Sequence, residues 1–259
     1  MSTIIYPSPI FGPVHSRRLG VSLGINLMPD DGKICTFDCI YCECGFNADF
    51  RPRHPRPTRE AVARALEERL QQMRLEGPRP DVLTFAGNGE PTCHPDFPGI
   101  IADTVALRNR YFPQAKISVL SNGTQLHREE VRDALMLVDN NIQKLDTVDN
   151  GYIRRVDRPG NPHYDAAEVV EQMALMNGHV IVQTMFMSGS SHGQDVDNTG
   201  DPFVNPWLEA LGRIRPSEVM IYTIDRETPD HDLRKASPEV LDTIAARVRA
   251  TGLKCQVSY

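Results

Sequence analysis

Short apolar runs alternate with longer amphipathic stretches along most of this chain of 259 residues. The runs are rich in Val and Ile and are flanked by Gly, Pro or polar residues, which is typical of buried strands. They predict six strands, at residues 20–27, 81–86, 116–120, 142–145, 180–187 and 218–224.

The stretches between these runs carry helix signals. Residues 58–76 have apolar side chains at a helical spacing, begin with an N-capping Thr58 and end at Gly77. Residues 165–177 begin with Asp165, and the last helix begins at Ser237 with a proline at its first position. The remaining helices are predicted at residues 95–110, 126–138 and 202–214.

Six strand–helix units predict an α/β fold with a parallel sheet and helices outside it. Six units are too few for an eight-fold barrel but fit a curved, open (βα)6 partial barrel. Residues 254–258 are a candidate for a short closing strand, and we expect one domain over residues 1–259. In such sheets the functional groups lie at the C-terminal ends of the strands.

A compact group of cysteines follows the first predicted strand. Cys35, Cys39 and Cys42 have the spacing CxxxCxxC, with Tyr41 before the third. Cysteine thiolates are the ligands of iron–sulfur clusters, and four of them normally complete a [4Fe–4S] cube. Three ligands leave one iron open, which indicates a reactive cluster.

This spacing resembles the CxxxCxφC motif of the radical S-adenosylmethionine (SAM) superfamily. Residues 15–26 and 85–92 resemble one subgroup of it, which is related to the wybutosine (tRNA base) enzymes. The resemblance implies the open (βα)6 partial TIM barrel as the fold, with a cluster loop at residues 28–50. It also implies a [4Fe–4S] cluster held by Cys35, Cys39 and Cys42, with SAM bound at the open iron.

The resemblance further implies where SAM binds. Residues 87–91 (GNGEP) follow the second strand and are similar to the family's GGEP segment, which binds the amino group of SAM. Asn88 replaces the usual glycine of that segment. The SAM contacts expected from these and other strand ends are Tyr41, Gly87, Asn88, Gly89, Glu90, Ser121, Asn122, Asp146 and Gln183.

Several of these positions also have a structural interpretation. Asn122-Gly123 alone is a common turn, and Lys144 with Asp146 is compatible with an exposed ion pair at a strand end. The catalytic residues are unknown, and the candidates are Arg17, Arg18 and Asp146. The two arginines are suited to an anionic group near the cluster, or else form a surface charge pair.

A zinc site is the alternative interpretation of the cysteines, with Cys44 as the fourth ligand. Four-cysteine zinc sites usually come as two separated pairs, whereas this is a single compact run. Cys44 as a fourth cluster ligand would block the open iron. We therefore expect Cys44 to be a neighbour of the site.

The amino-acid composition changes these predictions little. Hydrophobic residues make up 40% of the chain and the net charge is −6, which argues mildly against a large nucleic-acid-binding face. No apolar run reaches membrane-span length, the start lacks signal-peptide features, and the cysteine usage suits a reducing compartment. A cytoplasmic protein without a membrane partner is expected.

Two further segments have open roles. Residues 51–57 are basic and Pro-rich, and form either an extended connector or a loop that contacts phosphate. Residues 188–200 are rich in Ser, Gly, Asp and Asn, and are predicted to be a mobile lid over the pocket.

The functional expectation is a radical SAM enzyme in which a 5′-deoxyadenosyl radical takes hydrogen from an unidentified substrate. An RNA base or small nucleotide-like molecule is favoured as that substrate. The alternative is an activating protein for a glycyl-radical enzyme, and a remote one is a non-catalytic iron–sulfur or zinc protein. An electron donor such as flavodoxin or ferredoxin is the expected partner.

Overall fold

A mostly parallel sheet forms the centre of the computed structural model, which describes residues 3–16 and 20–259. Its strand order is β1-β2-β3-β4-β5-β6-β9-β11, and all neighbours are parallel except β1 and β2. The strands of this sheet are β1 (Ile10–Ser16), β2 (Gly20–Ile25), β3 (Val82–Phe85), β4 (Lys116–Ser121), β5 (Asn140–Lys144), β6 (Ile181–Met185), β9 (Glu218–Tyr222) and β11 (Cys255–Ser258).

Helices connect the parallel strands and cover one face of the sheet. The six predicted strand–helix units and the closing strand β11 are confirmed, as are the N-caps Thr58, Asp165 and Ser237. The helices are α1 (Arg59–Glu76), α2 (Phe97–Tyr111), α3 (Glu129–Leu135), α4 (Asn150–Val156), α5 (Ala166–Ala174), α6 (Asp201–Ile214) and α7 (Pro238–Ala250). None of the described helices is both long and apolar enough to cross a membrane.

Strand β1 and helix α4 were not predicted from the sequence. Strand β1 contains Gly12 and Pro13, and a bulge between Phe11 and Val14 interrupts its alternation. Helix α4 is only seven residues long, and its sequence NGYIRRV offers no extended apolar stripe. Its Asp149 cap accepts a hydrogen bond from Tyr152 N at 2.6 Å. The C-terminal end of α4 borders the loop that carries the cysteines.

Residues 188–200, which are predicted to be a mobile lid, contain regular secondary structure. The segment contains β7 (Met187–Ser191) and β8 (Gln194–Asp195), which form a hairpin, and β7 also pairs with β10 (Leu233–Lys235). The turn residues His192 and Gly193 both have positive φ, at 49° and 73°. Such residues suit a two-residue type I′ turn, so the composition that resembled a loop serves a tight hairpin.

The two faces of the parallel sheet differ in polarity. The outer face joins the helices in the main hydrophobic core. The inner face has a small apolar layer of Ile142, Ile181 and Met220, and Ser22 is hydrogen-bonded to Thr84 across two strands (2.8 Å). Since side chains alternate along a strand, Lys144 and Gln183 lie on this inner face, nearer the C-terminal strand ends than the apolar layer. The inner end of the sheet is therefore polar, as a ligand site requires.

Candidate functional site

The loop with the three cysteines follows β2 and lies across the C-terminal ends of the parallel strands. Backbone hydrogen bonds fix it on two sides. Ile34 N donates to Asn88 O (3.0 Å) beside β3, and Ile40 N donates to Val156 O (2.9 Å) at the end of α4. This placement is the one expected for functional groups in a parallel sheet.

Gly89 is required by the approach of this loop. A Cβ atom built on Gly89 would lie 1.8 Å from Ile34 O, and its φ is +138°. A Cβ on Gly87 would lie 2.9 Å from the side chain of Asn26. In the structure the missing side chains of both glycines accommodate other parts of the protein, and Gly89 seats the cysteine loop. Their role as SAM contacts stays a prediction.

The loop is also held from within. The amide of Asn47 donates to Cys35 O (3.3 Å) and Phe37 O (3.0 Å), while its backbone N–H donates to Asp38 Oδ1 (2.7 Å). Buried Lys33 donates to Gly45 O (2.6 Å) and lies 3.6 Å from Asp38. The lysine ammonium places a positive charge beneath the loop, on the side of the thiols.

The three cysteines are half-buried, and their thiols respond differently to that burial. Burial raises the pKa of Cys35 to about 12, with the carboxylate of Glu90 adding to the effect. Burial also raises the pKa of Cys39 well above its usual range. The pKa of Cys42 is lowered to about 6 by a hydrogen bond from Cys44, against the effect of burial. A cationic cluster is the kind of group that holds all three as thiolates.

The cysteine sulfurs do not form a ready zinc site. Tetrahedral zinc with Zn–S bonds of about 2.3 Å requires sulfur atoms about 3.8 Å apart. Among the described residues, no three cysteine sulfurs lie within 4.8 Å of one another. As placed in the structure, these cysteines therefore do not have the spacing of a zinc site, and their role as cluster ligands stays a prediction.

Cys44 lies beside the other cysteines and keeps its proton. Its hydrogen bond to Cys42 and its burial raise its pKa, and its sulfur lies 3.3 Å from Gly87 O. This arrangement agrees with the expectation that Cys44 is a neighbour and not a ligand.

Glu90, Ser121 and Asn122 meet next to Cys35. Glu90 is buried, and its two oxygens accept from Thr92 Oγ1 (2.5 Å) and Asn122 N (2.7 Å). The amide of Asn122 donates to Thr36 Oγ1 (2.8 Å) and lies 3.7 Å from Cys35 Sγ. Burial raises the pKa of Glu90, and its hydrogen bonds partly oppose that effect. Three strand ends thus bring a carboxylate, an amide and a thiol into one connected group.

Asn88 is fully occupied by structural contacts. Its side chain accepts from Tyr6 N and donates to Tyr6 O and Pro29 O, each at 2.8 Å. The amide that replaces the family's glycine therefore ties the N-terminal segment to the cysteine loop. Its assignment as a SAM contact is not supported by its side chain, whose polar atoms have protein partners.

A buried charge network occupies the inner end of the sheet. The ammonium of Lys144 contacts the Tyr41 hydroxyl and Asp146, and lies 2.9 Å from Asp157. Burial alone would lower the pKa of Lys144, but the two carboxylates raise it well above its usual range, so the lysine is charged. Burial raises the pKa of Asp157 to about 6. Asp146 also accepts from Met185 N (2.9 Å), which fixes its orientation.

This network corrects the structural interpretation of Lys144 and Asp146. The side chains are 16% and 1% exposed, so they are not a solvated ion pair at a strand end. Asp157 was missed altogether, because it follows the short helix α4 and no sequence pattern marks it. Thr36 and Lys33 were also missed, although both lie within or beside the cysteine motif.

The other predicted residues are distributed unevenly. Gln183 lies in register with Lys144 on the inner face of the sheet. His94, which follows the GNGEP segment, donates from Nε2 to Pro57 O (2.8 Å) and accepts from Asp96 N (3.1 Å), so both ring nitrogens have structural partners. The candidates Arg17 and Arg18 lie outside the described residues.

Comparison with known families decides the family. A model described as the radical SAM superfamily matches residues 31–199, which include the cysteine loop and the ends of β3 to β6. The chain belongs to the radical SAM superfamily. The resemblance drawn from the sequence is confirmed, and so are the cofactors that it implied, a [4Fe–4S] cluster and SAM.

Relatives by sequence include UPF0026 proteins. The chain is 29% identical to a UPF0026 protein of Methanocaldococcus jannaschii over 91% of its own length and 70% of that protein. It is 25% identical to a protein named GTPase Obg of Brachyspira hyodysenteriae over 90% of its length, but spans only 32% of that protein.

Solved radical SAM structures share the fold. A radical SAM methyltransferase from Sphaerobacter thermophilus has a TM-score of 0.66 at 14% identity, with 92% of this chain and 66% of that one covered. SuiB of Streptococcus suis bound to SAM has a TM-score of 0.63 at 12% identity, covering 91% and 50%. TYW1 with a lysine–pyruvate adduct has a TM-score of 0.58 at 13% identity, covering 88% and 73%. At these identities the likeness shows the fold, which confirms the predicted partial barrel.

Proposed function

We propose that this radical SAM protein is an enzyme that abstracts hydrogen from an RNA base or a small nucleotide-like substrate. The observation that carries the enzymatic part is the connected group of Cys35, Glu90 and Asn122. A passive iron–sulfur protein has no need for a buried carboxylate beside its cluster. An enzyme that binds SAM needs such a carboxylate, because it accepts hydrogen bonds from the SAM ammonium.

Cys35, Cys39 and Cys42 would hold the cluster, with Cys44 as a protonated neighbour. When bound, the cluster and SAM supply reductive cleavage of SAM to methionine and a 5′-deoxyadenosyl radical that takes a hydrogen atom from the substrate. Lys33 contributes positive charge beneath the thiolates. The buried site keeps water away from the substrate.

The chain's own residues supply the SAM contacts in this proposal. Glu90 would accept hydrogen bonds from the SAM ammonium, and Ser121 with Asn122 would contact its carboxylate or ribose. Tyr41, Asp146 and Gln183 lie deeper in the barrel, on the side expected for the nucleoside. Gly87 and Gly89 would contribute through their backbones, since Asn26 lies against Gly87 and Ile34 of the cysteine loop lies against Gly89.

The proposal also includes the class of substrate and the electron donor. Kinship with the wybutosine enzymes favours a nucleotide-like substrate, and the likeness to TYW1 agrees with it at the level of fold. A radical SAM enzyme needs a reductant, and flavodoxin or ferredoxin would supply the electron. Such chemistry suits a reducing, cytoplasmic compartment.

The test is anaerobic reconstitution followed by reduction in the presence of SAM. We expect about four irons per chain, visible sulfide-to-iron absorption and release of 5′-deoxyadenosine without added substrate. Cys39→Ala should abolish the release of 5′-deoxyadenosine, whereas the matched control Cys44→Ala should retain it. A colourless protein with one zinc ion, or activity that depends on Cys44 and not on Cys39, would contradict the proposal.

A further inference from the structure

A positively charged cleft lies against the cysteine loop, outside the barrel interior. It has a volume of about 240 Å³ and is bordered by the end of α4 and the β7–β8 hairpin. We call it the arginine cleft and define it by the lining residues Ile40, Arg155, Arg158, Ser191, His192 and Gln194. Ile40, between Cys39 and Tyr41, is part of this lining, so the cleft adjoins the cluster loop itself.

The two guanidinium groups of the arginine cleft lack carboxylate partners. Within residues 3–16 and 20–259, no Asp or Glu lies at ion-pairing distance from Arg155 or Arg158. Asp157 lies between them in sequence but is buried on the other side, 2.9 Å from Lys144. Asp197, beyond the hairpin, accepts from Thr199 Oγ1 (2.6 Å). The cleft therefore presents two exposed guanidinium groups without an ion-pair partner among the described residues.

Aromatic rings hold both arginines. The guanidinium of Arg158 lies 5.0 Å from the ring centre of Phe46, and that of Arg155 lies 5.9 Å from the ring centre of Tyr152. A guanidinium placed over a ring keeps its N–H edges available for other acceptors. Arginine forks of this kind match the paired oxygens of a phosphate, which they bind bidentately.

Arg158 ends helix α4 in the left-handed conformation. Its φ is 51°, and its N–H donates to Ile153 O (2.9 Å). Arg215 has the same conformation after α6, with φ of 53°, and basic residues favour helix C-termini through the helix dipole. Glycine is the residue best suited to such a helix end, so Arg158 can be replaced by glycine without backbone strain.

The third donor comes from the hairpin. His192 occupies the first position of the tight β7–β8 turn, with φ of 49°, and lines the cleft opposite the arginines. The Tyr152 hydroxyl donates to Val196 O (2.9 Å) and so ties the hairpin to α4. Two separate elements thus present basic side chains to one small volume.

We propose that the arginine cleft binds a phosphate group of the substrate. This proposal rests on the proposed function, because it takes the phosphate to belong to the molecule from which hydrogen is abstracted. The ligand is a phosphate ester, carried either by a free nucleotide or by an RNA backbone. The volume of the cleft suits such a group better than it suits the surface of a redox partner.

The test measures binding to anaerobically reconstituted protein at one fixed salt concentration by isothermal titration calorimetry. One arm compares each of the four nucleoside 5′-monophosphates with its nucleoside, and a second arm uses an RNA stem-loop. The variant is Arg158→Gly, which removes the guanidinium at a position that glycine tolerates, so its melting temperature should not fall. Arg154→Ala is the matched control, since Arg154 lies on the same helix but does not line the cleft.

We expect a phosphate ligand to bind at least tenfold more weakly to Arg158→Gly, with Arg154→Ala equal to wild type. An effect with nucleotides identifies a free phosphorylated substrate, and an effect with the stem-loop alone identifies RNA. Equal affinities for wild type and Arg158→Gly, or no binding in either arm, would overturn the proposal. So would slower cluster reduction by flavodoxin in Arg158→Gly without any change in phosphate binding, which would indicate a docking site for the donor.

Failure of this proposal is distinguishable from failure of the proposed function. The binding measurement requires no cleavage of SAM, and cleavage of SAM requires no phosphate ligand. A protein that binds phosphate through Arg158 but releases no 5′-deoxyadenosine would support the phosphate site and contradict the proposed enzymatic function. A protein that releases 5′-deoxyadenosine but does not bind phosphate through Arg158 would support the enzymatic function and contradict the phosphate site.

Discussion

At the scale of single residues, close contact with the backbone decides how the cysteine loop is seated. Gly89 and Ile34 form an isolated parallel bridge, in which Glu90 N donates to Ile34 O (3.2 Å). The same bridge sets the position of Glu90, because the residue follows directly. One glycine therefore couples the carboxylate of the proposed SAM site to the first cysteine.

Gly89→Ala should destabilise the protein by about 3 kcal/mol and reduce its iron content after reconstitution. A Cβ atom cannot occupy a position 1.8 Å from Ile34 O, so the cysteine loop must shift. Chemical denaturation and iron analysis measure the two effects.

Gly77→Ala is the matched control for backbone strain. Gly77 also has a positive φ (70°), but no atom lies within 4 Å of its added Cβ. It should cost about 1–3 kcal/mol through backbone strain alone and leave the iron content unchanged. Equal iron content in the two variants would show that Gly89 does not seat the loop.

Charge at the residue scale is concentrated in the network around Lys144. The Lys144 ammonium contacts two carboxylates and a phenol on the inner face of the sheet, next to the apolar layer of that face. Removing one partner of a buried charged group leaves the other without compensation, which is costly. The network therefore gives Asp146 and Tyr41 fixed orientations at the inner end of the barrel.

At the scale of elements, α4 and the β7–β8 hairpin form a small second core with the cysteine loop. Ile40, Tyr152, Val156 and Val196 are buried there together. Asn198 links this group to the sheet, since it donates to Met185 O (2.8 Å) and accepts from Met187 N (3.0 Å). The segment expected to be a lid is thus anchored both at the hairpin and at Asn198, where the chain contacts the sheet again.

Tyr152→Phe should loosen the hairpin without unfolding the barrel. The change removes the hydrogen bond to Val196 O and leaves a buried carbonyl unpaired, at a cost of about 1–2 kcal/mol. We expect faster amide hydrogen exchange over residues 187–198, measured by mass spectrometry.

Tyr111→Phe provides the comparison, because its hydroxyl donates to Glu67 (2.7 Å) at the surface. It should change the exchange of the hairpin little. Unchanged exchange over residues 187–198 in Tyr152→Phe would mean that the hairpin is held by other contacts.

At the scale of the whole molecule, the helical layer supports the site through the sheet. Trp207 on α6 is buried, lies edge-on to Phe186 with ring centres 5.4 Å apart, and donates from Nε1 to Leu145 O (3.1 Å). Leu145 lies between Lys144 and Asp146 at the end of β5. The hydrogen bond from Trp207 therefore connects the helical layer to the strand end that carries the charge network. Thr184 Oγ1 donates to the same carbonyl (2.8 Å).

Trp207→Ala should lower the free energy of unfolding by about 3–5 kcal/mol, because it leaves a large cavity in the main core. Trp207→Phe keeps most of the apolar volume and leaves Thr184 as a donor to Leu145 O, so it should cost less. Guanidinium denaturation followed by circular dichroism measures both. Equal losses for the two variants would show that the cavity is not the main cause.

Local patterns were sufficient for the main architecture. The apolar runs of β2 to β6 and β9, and caps such as Thr58 and Asp165, depend on neighbours a few residues away, and they were predicted within a few positions. Elements whose stability comes from distant contacts were missed. Strand β1 pairs with β2 through a bulge, and α4 is fixed by the cysteine loop and the hairpin.

The sequence by itself determined the cysteine motif, its position after the first strand of the parallel sheet, and the family to which it belongs. These features depend on the spacing and the chemical type of residues, which can be read directly from the sequence. Only the tertiary structure decided that Gly89 supports the loop, that Asn88 is structural, and that Lys144 joins Asp146 and Asp157. The arginine cleft likewise combines Arg155 and Arg158 with His192, which lies some 35 positions further along the chain. The physical reason is that such roles depend on which donors, acceptors and charges meet after folding, and sequence spacing does not specify those meetings.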